Sequence, residues 1–373
     1  MSRAVSLHIL PQQATHASEG QSASERPEVT SAARSTDHPR RLIDSHGRTI
    51  RDLRLSITDR CNLRCVYCME PDVQFARRES LLSVAELLRV ARQCVALGVE
   101  HIRITGGEPT VHPDLLAIIA GVAAIDGVRD VAMTTNGCLA SAEALRNWKG
   151  AGLRRLTFSL DSVSEATFAR MTRSNSPANS AGAVIAAIGR AVELGLGPVK
   201  VNAVIIRGQN EDEVPKLARL ARAIGFEVRF IEFMPLDSGH RWDPSLLVPA
   251  SEIIDRASEA GELVAHGRDA DSSTSETFVF RDAPDVRIGV IAPVTRPFCG
   301  ACSRLRITAD GKIRPCLFSL AEVDLRSALR DVSTTDEHIE AILLDAVWSK
   351  QRGHGITAPD FRQPDRPMSA IGG

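Results

Sequence analysis

The sequence predicts an α/β protein built around an incomplete (βα)6, TIM-like barrel, followed by a smaller α+β domain. Six short apolar or alternating segments recur along the chain, and helical or loop segments separate them, as in parallel sheets. Six such units are fewer than the eight that close a full barrel. After about residue 240 this alternation of strands with helical or loop segments stops. We therefore expect a partial barrel over residues 46–265 and a C-terminal domain over 266–373 that covers the barrel mouth.

The first predicted strand begins after Arg51, where Leu53, Leu55 and Ile57 alternate with polar residues. The next helix has the Ser83 and Glu86 spacing of a capping box. Further strands are predicted at residues 100–104, 128–133, 155–160, 199–206 and 227–233, and further helices at 113–125, 141–150, 164–172, 179–195, 211–224 and 251–260.

Composition limits the class of protein. The net charge is −1, so no overall basic field favours nucleic-acid binding. No apolar run reaches the ~18 residues of a membrane span, and the apolar residues 5–10 are too few for a secretory signal. We therefore expect a cytoplasmic protein. Residues 1–45 are rich in Ser, Ala, Pro, Gln and charge without periodicity, which predicts a disordered tail.

Six of the eight cysteines form two short sets, which favours metal binding over disulfides in an intracellular protein. Cys61, Cys65 and Cys68 are spaced C-x3-C-x2-C. A structural zinc site takes four protein ligands, whereas three thiolates on a [4Fe–4S] cluster leave one iron open to bind a further molecule. The alternatives are three structural cysteines or part of a zinc site.

The second set is Cys299, Cys302 and Cys316, spaced C-x2-C-x13-C with no histidine between them. Zinc would need a fourth ligand from elsewhere, such as His354, so a second open-iron cluster is our interpretation. Arg304 and Arg306 alternate on a predicted strand and therefore point to one side, where two guanidinium groups suit phosphate oxygens. Solvated surface arginines are the alternative.

A Gly-Gly-Glu-Pro motif at residues 106–109 follows the second predicted strand. Paired glycines let backbone amides approach a ligand, and Glu108 supplies an acceptor for an ammonium group. An ordinary turn is the alternative. Because ligands of parallel barrels gather at the carboxyl ends of strands, we expect the polar motifs to meet there.

The first cysteine set, with Tyr67 directly before its last cysteine, and the Gly-Gly-Glu-Pro motif together resemble the radical S-adenosylmethionine (SAM) enzymes. Further similarity lies in residues 51–60, 134–137 and 229–234, the second cysteine set, and the terminal Gly372-Gly373. With these, residues 45–373 look like the GTP 3′,8-cyclase family, also called molybdenum cofactor biosynthesis protein A.

The resemblance implies two [4Fe–4S] clusters and a set of ligand contacts. Cys61, Cys65 and Cys68 would hold the cluster that binds SAM, and Cys299, Cys302 and Cys316 a second cluster that binds the guanine of GTP. The implied SAM contacts are Tyr67, Gly107, Ser159 and Met234. The implied GTP contacts are Arg54, Arg103, Thr134, Lys200, Arg304 and Arg306. The Gly-Gly tail would reach into the pocket.

The implied activity is a lyase-class cyclisation of GTP to (8S)-3′,8-cyclo-7,8-dihydroguanosine 5′-triphosphate, the first step of molybdenum cofactor (molybdopterin) biosynthesis. A 5′-deoxyadenosyl radical would take hydrogen from ribose C3′, the C3′ radical would add to guanine C8, and one electron and a proton would complete the cyclised nucleotide. The implied partners are an electron donor such as a flavodoxin or ferredoxin and the next pathway enzyme, cyclic pyranopterin monophosphate synthase, with a monomer or homodimer as the assembly. One departure is Met69-Glu70-Pro71, where the family usually has Met-Pro.

Two other functions compete with this interpretation. The first is a radical SAM enzyme that modifies a peptide and carries an auxiliary cluster, although such enzymes usually have more C-terminal cysteines than the three found here. The second is a redox sensor or zinc-stabilised binding protein without enzymatic activity, which zinc in place of iron would favour.

Overall fold

The computed structural model describes residues 40–237 and 239–372, and its strands within these ranges form one sheet. The strands are β1 (Asp52–Ser56), β2 (His101–Thr105), β3 (Asp130–Thr135), β4 (Arg155–Ser159), β5 (Lys200–Ile205), β6 (Glu227–Glu232), β7 (Leu263–Gly267), β8 (Glu276–Phe280), β9 (Ala283–Ile291), β10 (Arg304–Ile307), β11 (Lys312–Arg314) and β12 (Val323–Asp324). The helices are α1 (Val84–Ala96), α2 (Leu115–Ala123), α3 (Ala142–Gly150), α4 (Glu165–Thr172), α5 (Ala181–Glu193), α6 (Val214–Ile224), α7 (Ala250–Ser258), α8 (Arg326–Arg330), α9 (Asp336–Trp348) and α10 (Met368–Ile371).

The six predicted parallel strands form the centre of the sheet. Strands β1 to β6 lie side by side in chain order and pair in parallel, with helices between them. The predicted helices match α1 to α7 within a few residues. The predicted capping box is present, because Ser83 and Glu86 exchange side-chain and backbone hydrogen bonds. This part of the fold prediction is confirmed.

The residues after β6 do not form a sheet of their own. Strand β10 pairs in parallel with β1, and β9 pairs in parallel with β6, so the C-terminal strands extend the same sheet at both edges. The open edges of β1 and β6 would otherwise expose unpaired N–H and C=O groups. Our predicted boundary at residue 265 falls inside β7. The sheet stays open, with β12 and β7 as its outer strands.

The packed chain begins earlier than the boundary we predicted at residue 46. Leu42 is fully buried, and its amide donates to the carbonyl of Leu97 at 3.0 Å. Ile43 pairs with Thr49 in an isolated bridge. The remainder of the predicted tail, residues 1–39, lies outside the described residues. Among the helices that are described, none is long and apolar enough to cross a membrane.

Candidate functional site

The first cysteine set lies at the carboxyl end of β1, in a loop attached to the end of β2. The amide of Gly107 donates to the carbonyl of Thr58 at 2.7 Å, and the amide of Glu108 donates to the carbonyl of Arg60 at 2.7 Å. Cys61 directly follows Arg60. The Gly-Gly-Glu-Pro motif therefore positions the start of the cysteine loop.

This attachment changes the role that we expected for the two glycines. A Cβ on Gly107 would lie 2.3 Å from the carbonyl oxygen of Arg60, and one on Gly106 would lie 2.6 Å from that of Thr58. Both distances are too short for any side chain. The glycines thus admit the neighbouring backbone, and the amide of Gly107 is used inside the protein rather than offered to a ligand.

Glu108 is buried and accepts several hydrogen bonds from within the protein, so it is not the free acceptor that we expected for an ammonium group. Its carboxylate accepts hydrogen bonds from the hydroxyl of Thr135 at 2.7 Å, the amide of Asn136 at 2.6 Å, and both the amide and hydroxyl of Thr110. Burial raises the pKa of Glu108 against these hydrogen bonds, which lower it. Glu108 therefore ties the end of β2 to the end of β3. Asn136 in turn contacts the cysteine loop, with its side-chain amide donating to Asn62 at 2.8 Å.

The three thiols of this set are half-buried, and none forms a disulfide. Burial raises the pKa of Cys61 to about 11 and that of Cys68 to about 12, and each is affected by a charge on another thiol or carboxylate nearby. The pKa of Cys65 is raised well above its usual value, by burial first and then by Asp161 and both other thiols. Such thiols become thiolates when a metal supplies the compensating charge. This donor set fits an iron–sulfur cluster.

Neither cysteine set forms a site for a single ion. Within residues 40–237 and 239–372, no three His, Cys, Asp or Glu side chains converge closely enough to hold one metal ion. A [4Fe–4S] cluster does not require such convergence, because each cysteine binds a different iron. His354, the fourth zinc ligand that we considered, packs its ring against Phe318 with centroids 5.3 Å apart.

The residues proposed to contact SAM lie at the same end of the sheet as the first set. Ser159 is the last residue of β4, and Met234 follows β6. The hydroxyl of Tyr67 donates to the carboxylate of Asp161 at 2.8 Å. Asp161 is buried, and burial raises its pKa to about 6. This bond fixes the cysteine loop to the end of β4.

A row of arginines crosses three neighbouring strands. Arg306 of β10, Arg54 of β1 and Arg103 of β2 lie in register, and therefore on one face at spacings of roughly 5 Å. Burial, and after it the neighbouring guanidinium groups, lower the pKa of Arg103 to about 9 and that of Arg54 well below its usual value. Arg103 also donates to the hydroxyls of Thr157 at 3.0 Å and Thr134 at 3.4 Å.

Part of this row lines a cavity of about 330 Å³ together with other cations. Six lining residues are the first residues of their strands, namely Asp52, His101, Asp130, Arg155, Lys200 and Arg304. Arg54, Arg103 and Arg229 line it from the third positions of theirs. The cavity therefore lies toward the amino ends of the strands. Our expectation that the polar motifs all meet at the carboxyl ends is wrong for the cations.

Some of these cations are neutralised and others are not. Lys200 pairs with Glu227 at 3.0 Å, and Arg229 pairs with the same carboxylate at 2.5 Å. Among the described residues, Arg54, Arg103, Arg304 and Arg306 form no ion pair with a carboxylate. Arg229 lies in the cavity, and we had not proposed it as a site residue, although its place on a strand beside Lys200 was a usable signal.

The second cysteine set lies at the opposite end of β1 from the first. Cys302 precedes β10, which runs parallel to β1, and Cys316 follows the antiparallel strand β11. Since β1 has five residues, the two sets are separated by roughly 16 Å along the strand direction. Arg304 donates to the sulfur of Cys302 at 3.3 Å. Burial raises the pKa of this thiol, but Arg304 and Lys350 outweigh burial and lower the pKa to about 7.

The C-terminal segment enters the space between the two sets. Ile371 is fully buried in a cluster with Leu236, Phe318 and Ile356, and Met234 packs against that cluster. Ser369 forms hydrogen bonds with the thiol of Cys68. Arg306 donates to the carbonyl of Gly372. The tail is thus packed against Cys68 and Arg306 as far as Gly372, Gly373 lies outside the described residues, and entry of the tail into the substrate pocket stays a prediction.

Two family models match the chain. Residues 55–221 match the model described as Radical SAM superfamily, and residues 226–356 match the one described as Molybdenum Cofactor Synthesis C. The first model covers the end of β1, strands β2 to β5 and the first cysteine set, and the second covers β6, both flanks of the extended sheet and the second cysteine set.

Curated relatives match over most of the chain. A GTP 3′,8-cyclase of Streptomyces coelicolor is 45% identical over 336 residues, which are 89% of this chain and 96% of that protein. A GTP 3′,8-cyclase of Rhodopirellula baltica is 44% identical over 339 residues, covering 90% and 93%. One from Mycolicibacterium smegmatis is 44% identical over 337 residues, covering 89% and 92%.

Among solved structures, the crystal structure of Streptococcus suis SuiB bound to precursor peptide SuiA is similar, with a TM-score of 0.58. It is 15% identical, and the match covers 82% of this chain and 68% of that chain. At this identity the similarity concerns the fold alone.

Proposed function

The chain belongs to the GTP 3′,8-cyclase family within the radical SAM superfamily, and from this membership we propose how its residues act on GTP. The reaction is the cyclisation of GTP to (8S)-3′,8-cyclo-7,8-dihydroguanosine 5′-triphosphate, the first step of molybdenum cofactor biosynthesis. Family membership implies a [4Fe–4S] cluster and SAM, for which Cys61, Cys65 and Cys68 are the proposed ligands. Cys299, Cys302 and Cys316 are the proposed ligands of a second [4Fe–4S] cluster.

The observation that carries this proposal is the unpaired arginine row. Arg306, Arg54 and Arg103 lie in register on three adjacent strands, and no described carboxylate forms an ion pair with them. Arg306 is buried and Arg54 and Arg103 are half-buried, so their guanidinium groups repel one another and the arrangement favours a ligand with several negative charges. A triphosphate meets this requirement. Arg304 adds a fourth unpaired guanidinium at the cavity wall.

The cavity provides polar partners in addition to charge. It is also lined by a segment rich in hydroxyl groups, residues 272–275, and by Thr277. Lys200 and Arg229 share the carboxylate of Glu227, so each retains donors that can turn toward phosphate oxygens. We propose that Arg54, Arg103, Lys200, Arg304 and Arg306 bind the triphosphate. Thr134 accepts a hydrogen bond from Arg103 and so orients it.

The two cysteine sets lie at opposite ends of β1, and this arrangement suggests how the nucleotide is oriented. Cys61, Cys65 and Cys68 would hold the first cluster, which would supply the electron for reductive cleavage of SAM and thereby the radical chemistry directed at ribose C3′. Tyr67, Gly107, Ser159 and Met234 lie at this end and are the proposed SAM contacts, Gly107 through its carbonyl because its amide donates to Thr58. The nucleotide would lie along β1, with its guanine at the second set and its ribose toward SAM. The buried tail around Ile371 excludes water from the space between them.

Further proposals concern partners and compartment. The reaction needs an external electron donor such as a flavodoxin or ferredoxin, and its product would pass to cyclic pyranopterin monophosphate synthase. The thiols of all eight cysteines are free, which supports the reducing cytoplasm as the proposed compartment. A monomer or a homodimer remains the proposed assembly.

Incubation of the anaerobically reconstituted, reduced protein with SAM and GTP tests the proposal. We expect 5′-deoxyadenosine and the cyclised nucleotide in comparable amounts, with GDP and GMP converted progressively less because they offer fewer phosphate oxygens to the arginines. SAM cleavage without conversion of any guanine nucleotide would contradict GTP as the substrate. That result would favour the peptide-modifying alternative.

A further inference from the structure

We propose that Lys350 is a positioning residue for the second cysteine set, which holds that set together and compensates the negative charge of a cluster bound there. The proposal rests on the second [4Fe–4S] cluster of the proposed function. It assigns a role to a lysine outside the strands, in the turn after α9.

Lys350 connects the chain segments that carry two of the cysteines. Its ammonium group donates to the carbonyl of Arg304 at 2.7 Å, and also to the carbonyl of Pro315. Arg304 lies two residues after Cys302, and Pro315 directly precedes Cys316. One buried side chain thus fixes the backbone beside both thiols. Only 3% of Lys350 is exposed.

The charge of Lys350 has no carboxylate partner. Among the described residues, no Asp or Glu forms an ion pair with it, and the two carbonyls that it contacts belong to the segments that carry Cys302 and Cys316. Two other cations, Arg304 and Arg48, are also near. Burying a lysine without a negative partner is costly. The arrangement is therefore compensated when these thiols are thiolates, as they are when bound to iron.

The turn that carries Lys350 is itself attached to the third cysteine. Arg48 is buried and donates to the carbonyl of Cys299 at 2.9 Å and to those of Gln351 and Arg352 at 2.7 and 2.8 Å. Its position is fixed by a 2.6 Å ion pair with the buried Asp44. Arg48 and Lys350 together thus join the segments of all three cysteines to residues 350–352.

A fixed positive charge beside a cluster favours the more negative, reduced state of that cluster. Lys350 should therefore raise the reduction potential of the second cluster relative to a neutral residue. Its two hydrogen bonds should also raise the occupancy of that cluster by iron. These two effects can be separated, since glutamine keeps an N–H donor but carries no charge.

The test compares Lys350→Gln and Lys350→Met with the wild-type protein and with Lys149→Met. Lys149 is an exposed lysine that also donates to a carbonyl, that of Leu194, and it lies on α3 outside the cysteine segments. Each protein is reconstituted anaerobically, and iron, sulfide and the potentials of both clusters are measured. The potentials are followed by electron paramagnetic resonance during a reductive titration.

We expect Lys350→Gln to shift the potential of the second cluster to a more negative value and leave the first unchanged. Lys350→Met should in addition lower iron from about eight toward about four per chain. Lys149→Met should match the wild type. Unchanged iron and potential in both Lys350 variants would overturn the proposal, as would loss of both clusters together. If the wild type itself holds only about four irons, the second cluster of the proposed function fails, whatever the variants do.

Discussion

The guanidinium of Arg306 donates a hydrogen bond to the carbonyl oxygen of Gly372. This bond joins the row of arginines to the C-terminal tail. Gly372 adopts a left-handed backbone with φ of +73°, close to Ser56 of β1 and Thr105 of β2. The tail thus reaches the carboxyl ends of the two strands whose third residues are Arg54 and Arg103. It lies between the two cysteine sets.

Replacement of Gly372 by valine should displace the tail. A Cβ there would lie 3.1 Å from the hydroxyl of Thr105 and 3.3 Å from Ser56, and valine disfavours positive φ. We expect faster hydrogen exchange in residues 368–372 and a fall of about tenfold in GTP conversion, equivalent to the ~1–2 kcal/mol of backbone strain. Ala370→Val, on α10, is the matched control. Unchanged exchange in Gly372→Val would show that the tail is not held there.

Arg304→Ala should weaken GTP binding and leave the first cluster unchanged. Arg304 lines the cavity and contacts Cys302, at the end of the sheet away from Cys61. Losing a charge-assisted contact to phosphate should raise Kd about tenfold or more, equivalent to ~1.5–3 kcal/mol. Isothermal titration with GTP measures the affinity, and electron paramagnetic resonance monitors the first cluster. A bleached first cluster would contradict our assignment of roles.

Cys61→Ala should abolish SAM cleavage while the second cluster remains. Removing one of three thiolates from an open-iron cluster leaves two protein ligands, too few for stable binding. We expect iron near four per chain and no 5′-deoxyadenosine on reduction with SAM. Cys94→Ala provides the control, because Cys94 is buried in the hydrophobic core on α1. SAM cleavage by the Cys61 variant would exclude Cys61 as a ligand.

His101 should make GTP binding depend on pH. Its Nδ1 lies 3.1 Å from the carboxylate of Asp52, and this hydrogen bond raises the pKa of His101 while partial burial lowers it. The charges of Asp52 and Asp130 raise it further, and that of Arg155 lowers it. Below this raised pKa the imidazole is protonated and adds a positive charge to the cavity. That charge is lost as the pH rises through the pKa.

Above about pH 7 the phosphates are already ionised, so the affinity for GTP should fall as the pH rises through the raised pKa of His101. We expect a change of about two- to fivefold, since partly exposed ion pairs contribute ~0.5–1 kcal/mol. His101→Gln should flatten the profile. An equally steep profile in that variant would assign the titration to another group.

Glu108→Gln should destabilise the protein, because the glutamine amide has one acceptor oxygen where the carboxylate has two. The four donors from Thr110, Thr135 and Asn136 cannot all be satisfied, and a buried unsatisfied donor costs about 1–3 kcal/mol. Thermal unfolding of the metal-free protein should show a lower Tm. Glu252→Gln, at a more exposed ion pair with Arg207, should change Tm less. An equal decrease in Tm for both variants would argue against the role of Glu108 in joining the ends of β2 and β3.

The sequence was most informative where local pattern and chemistry coincide. The alternation of apolar and polar residues in β1 and the capping box at Ser83 depend only on neighbouring residues. Both can therefore be predicted from the sequence. The two cysteine sets are also local, and their spacing predicts the kind of group they bind. The pairing of β10 with β1 joins residues about 250 positions apart, and no local pattern reports it.

The site differs from its prediction for the same reason. Arg54 and Arg306 are recognisable as cations, but their alignment follows from the register of two strands distant in sequence. Glu108 was expected to face a ligand, because two of its four donors, from Thr135 and Asn136, lie on another segment of the fold. The roles of Lys350 and Arg48 could not be predicted from the sequence, since both side chains bind backbone carbonyls, which every residue has.

The most direct test of two clusters flanking a GTP site is iron and sulfide analysis with electron paramagnetic resonance on the anaerobically purified, reduced protein. About eight irons per chain are predicted, with one signal perturbed by SAM and the other by GTP. About four irons and no response to GTP would contradict the account, because the second cysteine set would then be structural and the arginine row would lack its substrate.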